Sequence, residues 1–70
     1  MRVIKRYVIA GNHDEFKYWC QYYGWTYKDT AYLWSYEQLR GLHDVTIERV
    51  GQWTKSPLAF DPYLALVEKI

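Results

Sequence analysis

The chain has 70 residues and a formal net charge of +1, which suits one small domain whose core rarely supplies more than about 3–5 kcal/mol. Its single cysteine excludes an intramolecular disulfide, no Cys–His spacing resembles a zinc site, and the balanced charge argues against nucleic-acid binding. The longest uncharged apolar run near the N-terminus, residues 7–10, is too short for a signal-peptide core or a membrane span. We therefore expect a cytoplasmic protein without a metal, a cofactor or a membrane partner.

The first predicted elements are a strand and a helix. Residues 3–10 end in a nearly continuous apolar run, which suits a strand buried on both faces. Asn12 is a preferred helix N-cap, Glu15 completes a pattern typical of a capping box, and Gly24 is a typical C-terminal stop. Helical spacing places four side chains on the predicted core face of this helix: Phe16, Trp19, Cys20 and Tyr23.

The next elements predict the architecture. Residues 31–34 read as a second strand, residues 36–40 as about one and a half helical turns capped by Ser35, and residues 45–50 as an alternating third strand. Strands and helices that alternate with short connections favour a parallel sheet with right-handed crossovers. We expect a small α/β fold with strand order 2-1-3, because the most apolar strand belongs in the centre.

The end of the chain predicts a separate segment. We assign residues 1–56 to the βαβαβ domain and residues 57–70 to a tail with a short C-terminal helix. Asp61 is its predicted N-cap, and Pro62 takes the favoured first helical position. One face of this helix is apolar: Tyr63, Leu66, Val67 and Ile70. We expect that face to pack on the domain or on a partner.

The predicted sheet order indicates a candidate ligand site. It brings the turn after the first strand next to the loop after the third strand, in the crevice where open α/β sheets bind ligands. The candidate ligand-binding residues are Asn12, His13, Gln52 and Trp53. A dinucleotide fingerprint and a Walker pattern are both missing, and Asp14 and Glu15 would repel an anion at the helix N-terminus. Binding of a nucleotide-type small molecule stays an alternative.

No motif supports catalysis. Residues 11–14, Gly-Asn-His-Asp, resemble the metal-binding block of calcineurin-like metallophosphoesterases, but the other blocks of that family are missing. The pair His43 and Asp44 resembles HD-type phosphohydrolases, which need more histidines than the two in this chain. Cys20 lies in the middle of an apolar helix face, and Ser35 is explained by capping. We therefore predict no catalytic residue, no metal site and no enzymatic activity.

Aromatic residues are the outlier in composition. Four Trp, eight Tyr and two Phe make 20% of the chain, and each buries about 150–250 Å² when enclosed. A core of this size cannot enclose them all, and Tyr and Trp are enriched in binding hot spots. We predict an interaction surface that contains Tyr18, Tyr22, Tyr32, Trp34, Tyr36 and Tyr63. Three of them, Tyr32, Trp34 and Tyr36, are spaced two residues apart, so their side chains share one side of the chain while it stays extended.

The order of these elements, with residues 35–42 and 49–53, resembles small Rossmann-like proteins encoded by bacteriophages. The resemblance spans roughly residues 3–53. It implies a viral protein in the cytoplasm of a bacterial cell, often acting on a host protein, and it carries over no functional residue. We expect an accessory protein that binds a host factor or a second copy of itself, with small-molecule binding as the alternative.

Overall fold

The computed structural model describes residues 4–69 and contains one sheet with helical segments on both faces. The strands and α-helices are β1 (Arg6–Ile9), α1 (His13–Tyr23), β2 (Thr30–Tyr32), β3 (Ile47–Arg49) and α2 (Leu64–Val67), with 3-10 helices at Tyr36–Leu39 and Trp53–Lys55. The strand order is β2-β1-β3, and both pairings are parallel. The predicted small α/β fold, its strand order and its short C-terminal helix are confirmed.

The core lies on both faces of β1, because successive side chains of a strand point to opposite sides. Val8 and Ala10 pack toward α1, whereas Ile9 points to the other face. The buried cluster on the α1 side contains Val8, Ala10, Phe16, Cys20 and Val50. The buried cluster on the opposite side contains Ile9, Leu33, Leu39, Ile47, Leu58, Leu64 and Val67. The central strand is thus covered twice, which explains its apolar sequence.

Helix α1 begins and ends where the sequence predicts. The Oδ1 atom of Asn12 accepts a hydrogen bond from the backbone amide of Glu15 at 2.8 Å, and Gly24 ends the helix with φ 73°. The predicted core face is only partly correct: Phe16 and Cys20 are buried, Trp19 is half-buried and Tyr23 is exposed. Tyr23 lies on the last turn of the helix and stacks against Trp25 instead of entering the core.

The segment after β2 is a 3-10 helix, Tyr36–Leu39, rather than the predicted α-helical turns. The side chain of Gln38 organises it. Its Oε1 atom accepts hydrogen bonds from the backbone amides of Trp34 and Ser35 at 2.7 and 3.0 Å, and its Nε2 group donates to the carbonyl of Tyr32 at 2.9 Å. One amide side chain therefore fixes the exit of β2.

The tail packs on the domain's own sheet. Leu58, Leu64 and Val67 belong to the buried cluster on the face opposite α1. Val45 forms a parallel bridge with Glu68, and the Arg49 guanidinium donates two hydrogen bonds of 2.8 Å to the Glu68 carboxylate. These contacts hold residues 57–69 against β3.

The predicted face of the C-terminal helix needs correction. Val67 is buried and Tyr63 is half-buried, but Leu66 is 72% exposed and Leu64 points into the core. The reason is that α2 starts late. Asp61 accepts a hydrogen bond from the Tyr63 amide at 2.9 Å in a turn before the helix. The predicted residue Ile70 lies outside the described residues. Within residues 4–69 no helix has the length and apolar character needed to span a membrane.

Candidate functional site

A pocket of about 580 Å³ lies beside the turn between β1 and α1. Its lining residues are Gly11, Asn12, His13, Tyr32, Trp34 and Pro57. It opens at the carboxyl ends of β1 and β2, the edge at which parallel sheets usually bind ligands. Its volume falls in the range of about 300–1,000 Å³ that is common for small-molecule sites.

Aromatic rings form the walls of this pocket. The ring centroids of Tyr32 and Trp34 lie 5.5 Å apart, as do those of Tyr32 and His13. Phe16 stacks on Tyr32 from the core side, with 5.1 Å between centroids. The Gln38 hydrogen bonds described above hold the backbone that carries both Tyr32 and Trp34. The backbone of the wall is therefore held in place, and Phe16 supports the Tyr32 ring.

A second, smaller pocket adjoins the first at His13. It has a volume of about 240 Å³ and is lined by His13, Phe16, Lys17 and Tyr27. The rings of Phe16 and Tyr27 lie 5.9 Å apart. The exposed imidazole of His13 therefore stands between two aromatic pockets and contributes to both.

The carboxylate of Glu15 lies between the end of β1 and the loop after β3, beside the N-terminus of α1. Its Oε1 atom accepts hydrogen bonds from the backbone amides of Gly11 at 2.9 Å and Gln52 at 2.7 Å. In nucleotide-binding α/β proteins, the turn after the first strand and the helix N-terminus that follows bind ligand phosphates. Here a carboxylate of the protein itself lies beside that turn. The capping-box pattern of Asn12 and Glu15 thus leads to a tertiary contact through the glutamate side chain.

The two glycines beside Glu15 make this contact possible. Gly51 has φ 55°, and a Cβ atom there would lie 2.5 Å from Glu15 Oε1 and 2.7 Å from the indole nitrogen of Trp19. A Cβ atom at Gly11 would lie 3.0 Å from the carbonyl oxygen of Gln52. A side chain at Gly51 would displace the Glu15 carboxylate, and a side chain at Gly11 would crowd the loop after β3.

Two of the four residues predicted to bind a ligand line the pocket, and the other two do not. Asn12 and His13 line the pocket. Gln52 contributes its backbone amide to Glu15, and its side chain does not line the pocket. Trp53 packs against the core on the opposite face of the sheet, where its ring contacts Phe60 at 5.9 Å. The 3-10 helix that starts at Trp53 carries this ring away from the crevice.

The predicted interaction residues fall into separate places. Tyr18 and Tyr22 are exposed on α1, and Tyr32 and Trp34 form the pocket wall. Tyr36 instead contacts Tyr63, with 5.4 Å between ring centroids. The predicted alternation of Tyr32, Trp34 and Tyr36 fails at Tyr36, because the extended chain ends where the 3-10 helix begins.

Sequence reasoning missed part of a larger aromatic cluster on α1 and the residues just after it. We call it the aromatic strip, and it comprises Tyr18, Trp19, Tyr22, Tyr23 and Trp25. The rings of neighbouring members contact one another with centroid distances between 4.7 and 6.4 Å. The Arg6 guanidinium lies 5.1 Å from the ring centroid of Trp25 at its end. The assignment of Tyr23 to the core face concealed this continuity.

Two side chains around the pocket and the adjoining core, Tyr32 and Cys20, have raised pKa values. Burial raises the pKa of Tyr32, and the negative charge of Glu15 raises it further. Burial also raises the pKa of the Cys20 thiol, against the opposing effect of Arg6. A thiol of this kind is a poor nucleophile at neutral pH, because the thiolate is the reactive form.

The site offers rings, an amide and an imidazole, which suit binding more than bond cleavage. Within residues 4–69, no three or more His, Cys, Asp and Glu side chains come together in a group that could hold a metal ion. Comparison with known proteins identifies no match among protein-family models, curated proteins or solved structures.

Proposed function

We propose that this chain is a non-enzymatic binding protein that recognises a protein partner through the aromatic strip. The observation that supports it most is the continuity of this cluster, in which the three tyrosines are exposed and the two tryptophans are half-buried. Tyr22 is 66% exposed, yet it makes ring contacts with Trp19 at 5.2 Å and Tyr23 at 5.0 Å. An exposed aromatic cluster of this kind is unusual on a small monomeric domain and is typical of interaction surfaces.

The restricted mobility of the rings in the aromatic strip favours tight binding of a partner. Tyr and Trp present a large contact area with few rotatable bonds, so their immobilisation on binding costs little conformational entropy. Contacts between neighbouring rings restrict them further. Exposed polar side chains on the same helix, Lys17 and Gln21, give the strip a polar margin. Hydrophobic centres with polar rims are common in protein interfaces.

The partner in this proposal is a bacterial host protein, and a second copy of the chain is the other option. The proposed host setting is supported by the resemblance of roughly residues 3–53 to small bacteriophage-encoded proteins, which implies a protein acting inside a bacterial cell, often on a host protein. A second copy would bind most simply through a two-fold interface that uses the same strip on both molecules.

The test uses a strip variant and a matched surface variant. Tyr18→Ala with Tyr22→Ala removes two exposed rings from the strip, whereas Phe60→Ala removes a ring that is 77% exposed elsewhere. Light scattering over a range of concentrations measures self-association, and affinity capture from bacterial lysate measures host binding. We expect the strip variant to lose the partner and Phe60→Ala to retain it. Equal behaviour of both variants and the wild type would contradict the proposal.

The pocket supports a second candidate function, small-molecule binding at the carboxyl edge of the sheet. Its support is the combination of a suitable volume, aromatic walls and the Asn12 amide. A thermal-shift screen with small heteroaromatic compounds tests it. Stabilisation that is lost in Trp34→Ala and kept in Phe60→Ala is the expected result. A screen without any Trp34-dependent shift would contradict it.

A further inference from the structure

We infer that the pocket takes an uncharged planar heteroaromatic ring rather than a phosphorylated ligand. This inference rests on the second candidate function above and specifies its ligand class. Three features of the site lead to it: the ring walls, the acidic side chains beside the turn after β1, and the remaining polar groups.

The walls fit a flat, apolar-faced ligand. Tyr32 and Trp34 differ by 31° in ring plane, so they form a slightly opened wall. Tyr32 is held from behind by Phe16, and Trp34 is 55% exposed, which leaves indole surface uncovered. Offset stacking of a ligand ring on such a surface contributes beyond the burial of area alone.

The surroundings disfavour a phosphate. The backbone amides of Gly11 and Gln52 already donate to Glu15, so they do not bind a phosphate while this carboxylate is in place. A phosphate beside the turn after β1 would also face the negative charges of Glu15 and Asp14 in the first turn of α1. The Lys17 side chain lines the adjoining smaller pocket rather than this one. Neighbouring like charges repel each other even when water screens them.

The remaining polar groups suit ring heteroatoms. The Oδ1 atom of Asn12 accepts from the Glu15 amide at 2.8 Å, which leaves its Nδ2 group as the donor available to a ligand. The His13 imidazole, also in the lining, can donate from one nitrogen and accept at the other when neutral. A heterocycle with a ring nitrogen or a carbonyl group can use both without carrying charge.

The test compares adenosine with adenosine monophosphate, which differ by one phosphate. Binding is followed by NMR shifts of the indole N–H groups and the His13 ring, in the wild type, Trp34→Ala, Phe60→Ala and Glu15→Gln. We expect the affinity of the wild type for adenosine to be at least about fivefold higher than its affinity for the monophosphate. Trp34→Ala should weaken adenosine binding, and Phe60→Ala should leave it unchanged. Glu15→Gln removes the charge, so it should narrow the difference between the two ligands.

The outcomes separate the two hypotheses. If neither compound shifts the His13 and Trp34 signals, the pocket is not a site for such ligands, and both the inference and the second candidate function fail. If the monophosphate binds the wild type more tightly than adenosine, with dependence on Trp34, the pocket binds small molecules but the inference about ligand class is wrong. Free inorganic phosphate that competes with adenosine in the wild type would also overturn the inference.

Discussion

The carboxylate of Glu15 and the backbone amide of Gln52 form a 2.7 Å hydrogen bond between residues 37 positions apart in the chain. The same Oε1 atom also accepts from Gly11, so one oxygen links the end of β1, the first turn of α1 and the loop after β3. This link lies beside the turn that binds phosphate in nucleotide-binding α/β folds. The carboxylate therefore connects three separate elements of the fold through one side chain.

Substitution of Glu15 should destabilise the protein more than substitution of its acidic neighbour. Glu15→Ala leaves two backbone amides without their protein acceptor, for a loss of about 1–2 kcal/mol in the free energy of unfolding. Asp14→Ala removes a charge from the same helix turn without a tertiary contact, for about 0.3–1 kcal/mol. Urea denaturation measures both. Equal losses would show that only the helix dipole matters at Glu15.

Replacement of Gly51 should be more costly than replacement of another glycine with positive φ. Gly51→Ala and Gly24→Ala both place a side chain in the left-handed region, at φ 55° and 73°, which costs about 1–2 kcal/mol. Only at Gly51 would the Cβ atom also displace the carboxylate of Glu15, whereas nothing lies within 4 Å at Gly24. We expect a markedly lower urea midpoint for Gly51→Ala. Similar midpoints for the two variants would contradict the proposed close approach.

The local elements of this protein could be predicted because their signals lie within a few residues. Asn12 and Gly24 define α1 through their own capping chemistry, and the apolar run before Gly11 identifies the central strand. The strand order then follows from short connections and the right-handed crossover rule.

Features that depend on distant residues could not be predicted. The sequence pattern of Asn12 and Glu15 predicts a local capping box, and nothing in it indicates that Gln52 supplies the second amide. The position of Trp53 depends on a 3-10 helix, and the buried side chains of α2 depend on a helix start that follows the turn at Asp61. Such contacts depend on tertiary packing, which local periodicity does not encode.

The loss of stability caused by an alanine substitution along α1 should increase with the burial of the side chain that is replaced. Phe16→Ala empties a buried site and should cost about 3–5 kcal/mol, which is comparable to the whole stability of a domain of this size. Replacement of the half-buried Trp19 should cost less, and replacement of the exposed Tyr23 should cost least. Thermal unfolding followed by circular dichroism gives the order. A larger loss at Tyr23 than at Phe16 would show that the helix is rotated from its described orientation.

Two leucines of the tail provide a matched pair. Leu58 is 1% exposed and belongs to the buried cluster on the sheet face opposite α1, whereas Leu66 is exposed on α2. Leu58→Ala should cost about 2–5 kcal/mol, and Leu66→Ala should stay within about 0.5 kcal/mol of the wild type. Chemical denaturation compares them. A small effect at Leu58 would mean that the tail is not part of the cooperative unit.

The ion pair between Arg49 and Glu68 should contribute a pH dependence. Hydrogen bonds from Arg49 lower the pKa of Glu68 in the folded state, so the contribution is present above the unfolded pKa and is lost as the pH falls through the folded pKa. Both side chains are about 30% exposed, which limits the effect to about 1 kcal/mol. Glu68→Gln should therefore be less stable than the wild type at neutral pH and equal to it in strong acid. A constant difference across this range would contradict the assignment.

The packing of the tail also affects when the chain can fold during translation. Leu58, Leu64 and Val67 lie against Ile9 of the central strand, so one face of that strand stays uncovered until the ribosome has released these late residues. Parallel pairing of β1 with β3 likewise requires two segments that are synthesised far apart. The N-terminal half is therefore synthesised before one face of its apolar strand can be buried. A nascent chain of this kind is exposed to aggregation or chaperone binding during that interval.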